Sequence, residues 1–200
     1  IVTPAEAVQI VGLEVLRALM LGVQAFNFYD DNAFAKATFK DLWGHSLKTA
    51  VGARKLAASE QLPAEASEEC FLAGLLHDIG KLVLAANAES EYRLVLDLAH
   101  KARLPLEQAE MGIFASTHAQ IGAYLLALWG VPDSVIRAVE MHHALNAASI
   151  ESFGPVLAVH VAQNLEPGAK RESLLNVALL EKLNLLERLP AWREVLSKGE

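Results

Sequence analysis

The stretch that decides the fold is residues 72–84, Leu-Ala-Gly-Leu-Leu-His-Asp-Ile-Gly-Lys-Leu-Val-Leu. Its aliphatic residues recur at the spacing of a buried helix, and we predict that this helix has its N-cap at Ser67. His77, Asp78 and Lys81 place polar groups inside the apolar run. Because an unpaired buried carboxylate is costly, Asp78 needs a strong partner. The stretch therefore predicts a core helix that carries a polar site.

The rest of the chain has the same helical character. Hydrophobic residues make up 53% of it and aromatic residues 6%, and no β-branched run alternates with the period of a strand. We predict an all-α fold in one compact domain over residues 1–200, with a small N-terminal helical portion at 1–32, a core at 33–165 and C-terminal helices at 166–200. Predicted helices include 33–59, 88–103, 105–114, 118–129, 132–143, 152–165, 171–182 and 190–197, with Thr117 as the cap of the helix at 118.

Charge and cysteine content exclude several classes of protein. The net charge of −7 argues against DNA as the main partner, because such proteins carry a basic stripe. A single cysteine, Cys70, rules out an internal disulfide and fits a reducing compartment. No apolar run reaches the roughly 18–20 residues that span a bilayer. We therefore expect a cytoplasmic protein without a membrane segment.

Histidine placement is the most informative feature of the sequence. Five of the seven histidines stand near the ends of predicted helices: His45, His77, His118, His142 and His143. Together with Asp78, such side chains suit Zn, Mn, Fe or Ni better than Ca. Neighbouring helical residues point about 100° apart, so the His-Asp pair is able to hold one ion from two sides or to share a two-metal centre. The alternative is a buried pair that is hydrogen-bonded within the protein and binds no metal.

Five short motifs together resemble a known family. They are Trp-Gly-His-Ser at 43–46, Ala-Gly-Leu-Leu-His-Asp-Ile-Gly-Lys at 73–81, Thr-His-Ala-Gln-Ile-Gly-Ala at 117–123, Leu-Trp-Gly-Val-Pro at 128–132 and His-His at 142–143. In this order they are similar to the HD-related output domain (HDOD) family, a branch of the HD superfamily of metal-dependent phosphohydrolases. The resemblance runs from about residue 3 to 165. It implies a helical HD-type domain of bacterial signalling.

The resemblance also implies a set of site residues. The ligand order of catalytic HD proteins matches His45, His77, Asp78, His118, His142 and His143. In an active enzyme Asp78 would act at the metal, and Lys81 would hold the phosphate. Two departures point to a loss of catalysis: Gln163 stands where a last Asp is expected, and Ala144-Leu145-Asn146 replaces a Gly-Tyr-Pro loop. A neutral amide is a poor ligand for a divalent metal. His160, three residues before Gln163, is a candidate substitute, although a structural histidine is the simpler interpretation.

Two hypotheses follow. The first is a non-catalytic output or regulatory domain that binds a protein partner or a nucleotide, and its start at Ile1 suggests a piece of a longer chain with a receiver domain on its N-terminal side. The second is a metal-dependent phosphohydrolase acting on a nucleotide or cyclic dinucleotide. The surroundings of the residue at position 163 distinguish the two hypotheses. If Gln163 lies far from the histidines and another carboxylate lies among them, the enzyme hypothesis gains.

Overall fold

A computed structural model describes residues 33–145, 148–166 and 174–197, and these residues form helices and no strand. The predicted all-α fold is confirmed. The predicted N-terminal portion, residues 1–32, lies outside the described residues, and the division into one domain stays a prediction. The helices are α1 Ala33–Ser59, α2 Ala64–Leu76, α3 Ile79–Asn87, α4 Glu89–Ala102, α5 Leu106–Phe114, α6 His118–Leu128, α7 Asp133–Met141, α8 Pro155–Leu165, α9 Val177–Lys182, a 3₁₀ turn Leu186–Arg188 and α10 Leu189–Ser197.

The decisive stretch forms two helices instead of the one predicted. α2 ends at Leu76, Asp78 leaves helical geometry with φ −101° and ψ 9°, and α3 begins at Ile79. The N-cap predicted at Ser67 is also wrong, because α2 already begins after Pro63 and the amide of Ser67 donates to the Pro63 carbonyl. Pro63 occupies the N-cap position, with φ −53° and ψ 152°, and this helix start has no side-chain cap. The break at Asp78 places the side chains of His77 and Asp78 near the start of α6 and the end of α7.

Two glycines of the stretch allow close helix crossings. A Cβ atom on Gly74 would lie 2.7 Å from Cα of Ala50, so α2 packs directly on the backbone of α1. A Cβ atom on Gly80 would collide with the carbonyl of His118, the first residue of α6. The absence of a side chain at Gly80 therefore allows α6 to approach closely. This crossing brings the start of α6 against the turn at residues 77–78.

The main hydrophobic core is built by α1, α2, α7 and α8, with α9 and α10 closing it. A second cluster lies under α4 and α5 and includes Leu84, Tyr92 and Val95. The fully buried Trp192 ties α10 to α1, and its ring nitrogen donates to Glu60 at 2.7 Å. The polar residues of the decisive stretch lie where helix ends meet above the main core.

Within the part of the chain that the structure describes, no single helix is both long and apolar enough to cross a lipid bilayer. α5 and α6 pass that test only as a pair, bent by 73°.

Candidate metal centre

The structure brings all six predicted ligand residues into one cluster. They come from four places: the middle of α1, the turn between α2 and α3, the first residue of α6, and the two residues after α7. The prediction that His45 stands near a helix end is therefore wrong, because α1 continues through it on both sides. We call one part the inner half, formed by Asp78 Oδ1 with three histidines, and the other the outer half, formed by Asp78 Oδ2 with two. The inner histidines are His118, His142 and His143, and the outer ones are His45 and His77.

Backbone carbonyls fix the orientation of two of these rings. Nδ1 of His77 donates to the carbonyl of Gly74 at 2.7 Å, and Nδ1 of His142 donates to the carbonyl of Val139 at 2.6 Å. A carbonyl only accepts, so the proton is on Nδ1 and the lone pair is on Nε2. Both helices thus present an imidazole lone pair to the carboxylate of Asp78. This is the tautomer in which a histidine binds metal through Nε2.

Carboxylates orient two further rings. Nδ1 of His118 lies 2.7 Å from Oε2 of Glu110, which also accepts the His118 backbone amide at 2.9 Å. Nδ1 of His45 lies 3.0 Å from Oε2 of Glu166. Sequence reasoning missed both carboxylates. For Glu110 a signal existed, because a charged residue in a short apolar helix is unusual and here it is fully buried.

The inner half has the spacing of metal ligands. Asp78 Oδ1 lies 3.4 Å from His118 Nε2 and 3.6 Å from His142 Nε2, while the Nε2 atoms of His118 and His143 are 3.1 Å apart. Ligands at about 2.1 Å from one ion stand about 3.0–3.4 Å apart in octahedral or tetrahedral geometry. Asp78 Oδ1 and His142 Nε2 are buried and have no hydrogen-bond partner. Because buried polar atoms are rarely left unpaired, these atoms fit a bound cation.

The outer half has similar spacing but a different neighbour. The Nε2 atoms of His45 and His77 are 3.2 Å apart, and His77 Nε2 lies 3.5 Å from Asp78 Oδ2. Lys81 places its Nζ atom 2.7 Å from that same oxygen. The residue predicted to hold a phosphate therefore contacts the carboxylate directly.

The electrostatics of the cluster favour neutral imidazoles beside an ionised carboxylate. Burial lowers the pKa of His77 to about 3, and it also lowers the pKa values of His142 and His143. Burial alone would raise the pKa of Asp78, but His77 and Lys81 outweigh it and hold that pKa well below its usual range. His118 is the exception, because Asp78 and Glu110 outweigh burial and raise its pKa. Unprotonated imidazole and ionised carboxylate are the forms that bind metal.

Gln163 lies beside the cluster. Its Nε2 donates to the carbonyl of His142 at 2.9 Å. The first condition for the enzyme hypothesis, a distant Gln163, is therefore not met. The second condition, another carboxylate among the histidines, is met only in part. Glu110 and Glu166 lie beside the cluster, but they contact Nδ1 atoms of His118 and His45 and not the Nε2 atoms that face Asp78.

His160 has a structural role. Its Nδ1 lies 3.2 Å from the same carbonyl of His142, and its Nε2 accepts the amide of Asn176 at 3.1 Å. Both ring nitrogens are used by the backbone, so His160 does not replace the missing carboxylate.

An open groove of about 430 Å³ lies apart from the cluster, between α7 and the start of α8. Ser134, Arg137, Ser152 and Gly154 are among its lining residues, and none of the six predicted ligands is. The histidine cluster and this groove are thus in different places.

Comparison with known proteins agrees with the motifs. The family model of the HDOD domain matches residues 1–145. The chain belongs to the HDOD family. An uncharacterised protein of Treponema pallidum is 26% identical over 80% of the chain, and Ribonuclease Y of Aquifex aeolicus is 31% identical over 58% of it. The chain spans only 30% and 16% of the lengths of these two relatives.

Solved structures share the fold. An HDOD domain protein of unknown function from Geobacter sulfurreducens is 20% identical with a TM-score of 0.61, over 78% of this chain and 61% of that one. The MmoQ response regulator of Methylococcus capsulatus is 26% identical with a TM-score of 0.56, over 99% of this chain and 76% of that one. The first shows that the helical arrangement is that of HDOD domains.

Proposed function

We propose that this HDOD domain is a regulatory output domain of a bacterial signalling protein, and that it holds a divalent metal without hydrolysing a substrate. The observation that carries the proposal is the hydrogen bond from Gln163 Nε2 to the His142 carbonyl. The resemblance to catalytic HD proteins puts an Asp ligand at this position. Here the side chain of Gln163 has no negative charge, and its amide group donates to the backbone. The site therefore lacks one carboxylate of the enzyme pattern.

Asp78, His118, His142 and His143 would hold the metal. Their unpaired buried atoms and ligand spacing support this assignment. A bound Fe, Mn, Ni or Zn ion would supply a Lewis acid and acidify a bound water. The protein's own contribution is to aim the Nε2 lone pairs of His118 and His142 through fixed Nδ1 contacts and to exclude water from Asp78, which is only 3% exposed. In a regulatory domain the same bonds would tie four helix ends together and stabilise one arrangement of them.

The proposed partner is a protein of the same signalling pathway, with a receiver domain fused on the N-terminal side as one form of it and a nucleotide as a second candidate ligand. The similarity to a response regulator at 26% identity over 99% of this chain supports the signalling role. The unpaired thiol of Cys70, which is buried, is consistent with a cytoplasmic setting.

A phosphohydrolase is the second candidate function. The complete set of His45, His77, Asp78, His118, His142 and His143 favours it, since a scaffold alone has no need of six converging ligands. The similarity to Ribonuclease Y adds a phosphodiester to the candidate substrates. In that case Asp78 would act at the metal, and Lys81 would leave Asp78 to bind a phosphate.

The test compares the protein, purified without a histidine tag, with a His77→Ala, Asp78→Ala double variant. Elemental mass spectrometry measures the metal, and nucleotides, cyclic dinucleotides and short RNAs are assayed for hydrolysis. We expect near-stoichiometric metal in the parent, none in the variant, and equal background hydrolysis in both.

Turnover that only the parent shows would establish the phosphohydrolase instead. A parent that stays metal-free after metal is added back would refute the metal site and the phosphohydrolase, and the regulatory domain would then act through its helical surface alone.

A further inference from the structure

We propose that Lys81 is the resident cation of the outer half, so that the chain binds one divalent metal ion, in the inner half, instead of two. The inference deepens the proposed function and rests on its metal site. It assigns to Lys81 a positioning role that differs from phosphate binding.

Ligand spacing alone predicts two ions. The contacts among the outer ligand atoms, at 3.2 and 3.5 Å, are as suitable as those of the inner half. One carboxylate is able to bridge two ions through its two oxygens. Occupancy must therefore be decided by something other than the positions of the histidines.

The two oxygens of Asp78 differ in what they contact. Oδ2 lies 2.7 Å from the ammonium group of Lys81, whose side chain is only 12% exposed. Oδ1 has no hydrogen-bond partner, and neither has the nearby Nε2 of His142. A metal ion on Oδ2 would face the lysine charge at close range in a site from which water is largely excluded, and like charges repel strongly there. A metal ion on Oδ1 would meet two unpaired acceptors, Oδ1 itself and Nε2 of His142, next to the Nε2 atoms of His118 and His143, which contact each other at 3.1 Å.

The net charge of the site also favours one metal ion over two. Two buried carboxylates, on Asp78 and Glu110, stand against one ammonium group, on Lys81, while Glu166 pairs at 3.3 Å with Lys48, whose side chain is exposed. This leaves a net charge of −1. One divalent ion changes it to +1, whereas two would change it to +3. Excess charge of one sign in a buried site is costly, so the second ion is disfavoured as long as Lys81 stays in place.

The experiment counts metal ions per chain. Metal-free full-length chain is loaded with excess Mn²⁺, desalted and analysed by elemental mass spectrometry, with circular dichroism to check folding. We expect about one Mn²⁺ in the parent and about two in Lys81→Met, which keeps the length of the side chain but removes its charge. Lys81→Arg keeps the charge and should stay at one. Adding His45→Ala to Lys81→Met should return the count to one, which locates the second ion in the outer half.

Each result decides a different point. Two ions in the parent, or one ion in a folded Lys81→Met, would overturn the role of Lys81 and leave the metal-binding function intact. No ion in the parent would overturn the metal-binding function itself. If Lys81→Met fails to fold, Lys81→Gln replaces it with the same expected count. The parent alone gives an independent measurement: its electron paramagnetic resonance spectrum should show isolated Mn²⁺, and a spin-coupled pair would refute the inference.

Discussion

The inner and outer halves of the histidine cluster share one aspartate and similar ligand spacing, yet their surroundings differ. In the inner half, His118 contacts Glu110, which is fully buried. Among the described residues, no lysine or arginine lies within ion-pair distance of Glu110. In the outer half, His45 contacts Glu166, which is partly exposed and also paired with Lys48. Lys81 then covers the outer oxygen of Asp78. The difference teaches that a set of converging ligands is not by itself a metal site, because the charges that neighbour the ligands decide whether an ion enters.

Replacing the shared residue should have the largest effect. Asp78→Asn keeps the shape of the side chain but removes the one anionic ligand of the cluster, so we expect metal affinity to fall by at least about 100-fold. Isothermal titration calorimetry with Mn²⁺ measures the loss. Asp97→Asn is the matched control, because Asp97 also pairs with a lysine, Lys101, but on an exposed helix face. It should leave affinity unchanged, and an equal loss in both variants would mean that Asp78 is not a ligand.

A substitution that changes only the inner half should have a smaller effect on metal affinity. Glu110→Gln still accepts a hydrogen bond from Nδ1 of His118 but no longer makes that imidazole more basic, and we expect metal affinity to fall by about 10- to 100-fold. The same substitution at Glu107, on the same helix and outside the metal cluster, is the control. Unchanged affinity in Glu110→Gln would show that the inner half does not hold the ion.

Acid should destabilise the metal-free protein. The lowered pKa values of His77 and His142 mean that both rings are neutral when folded and take up protons on unfolding at any pH below about 6.5. The stability that these two rings contribute is therefore complete above that pH and is lost as the pH drops toward their folded-state pKa values, by up to about 1.4 kcal/mol per pH unit for each group. The raised pKa of His118 has the opposite sign, and its contribution is lost as the pH rises above about 6.5.

Urea unfolding in the presence of a chelator, from pH 7.5 to 4.5, measures this dependence. His77→Asn removes one of the titrating groups and should show a shallower decline than the parent. Parallel curves would mean that His77 is not held neutral in the folded protein.

Much of this site could be predicted from the sequence. The helical spacing of apolar residues predicted the fold class, because a single chain displays this local pattern directly. The six residues that meet in space were implied by the resemblance to HD proteins, whose ligand order they match. The break at Asp78 was missed because residues 72–84 are apolar on both sides of it. Beside the break Gly80 packs closely on α6, and this contact joins residues distant in sequence, which a local pattern does not display.

The partners of the histidines were harder to find for the same reason. Glu110 meets His118 across a helix-helix turn, and Glu166 meets His45 across 121 residues. Glu166 has no motif that marks it, and the only signal for Glu110 is its charge within a short apolar helix. The interpretation of Lys81 as a phosphate ligand took no account of the oxygen of Asp78 three residues before it, although the helical spacing of positions 78 and 81 already allowed that contact.

The smallest expected effect belongs to the outer half. Glu166→Gln alters the partner of His45 just as Glu110→Gln alters that of His118, yet we expect metal affinity to change by less than about twofold, because the ion is bound elsewhere. In the Lys81→Met background the same substitution should weaken the second ion by about 10- to 100-fold, since His45 would then be a ligand. Calorimetric titration of the four proteins measures both effects. A large loss from Glu166→Gln in the parent would place an ion in the outer half and would make the two halves equivalent.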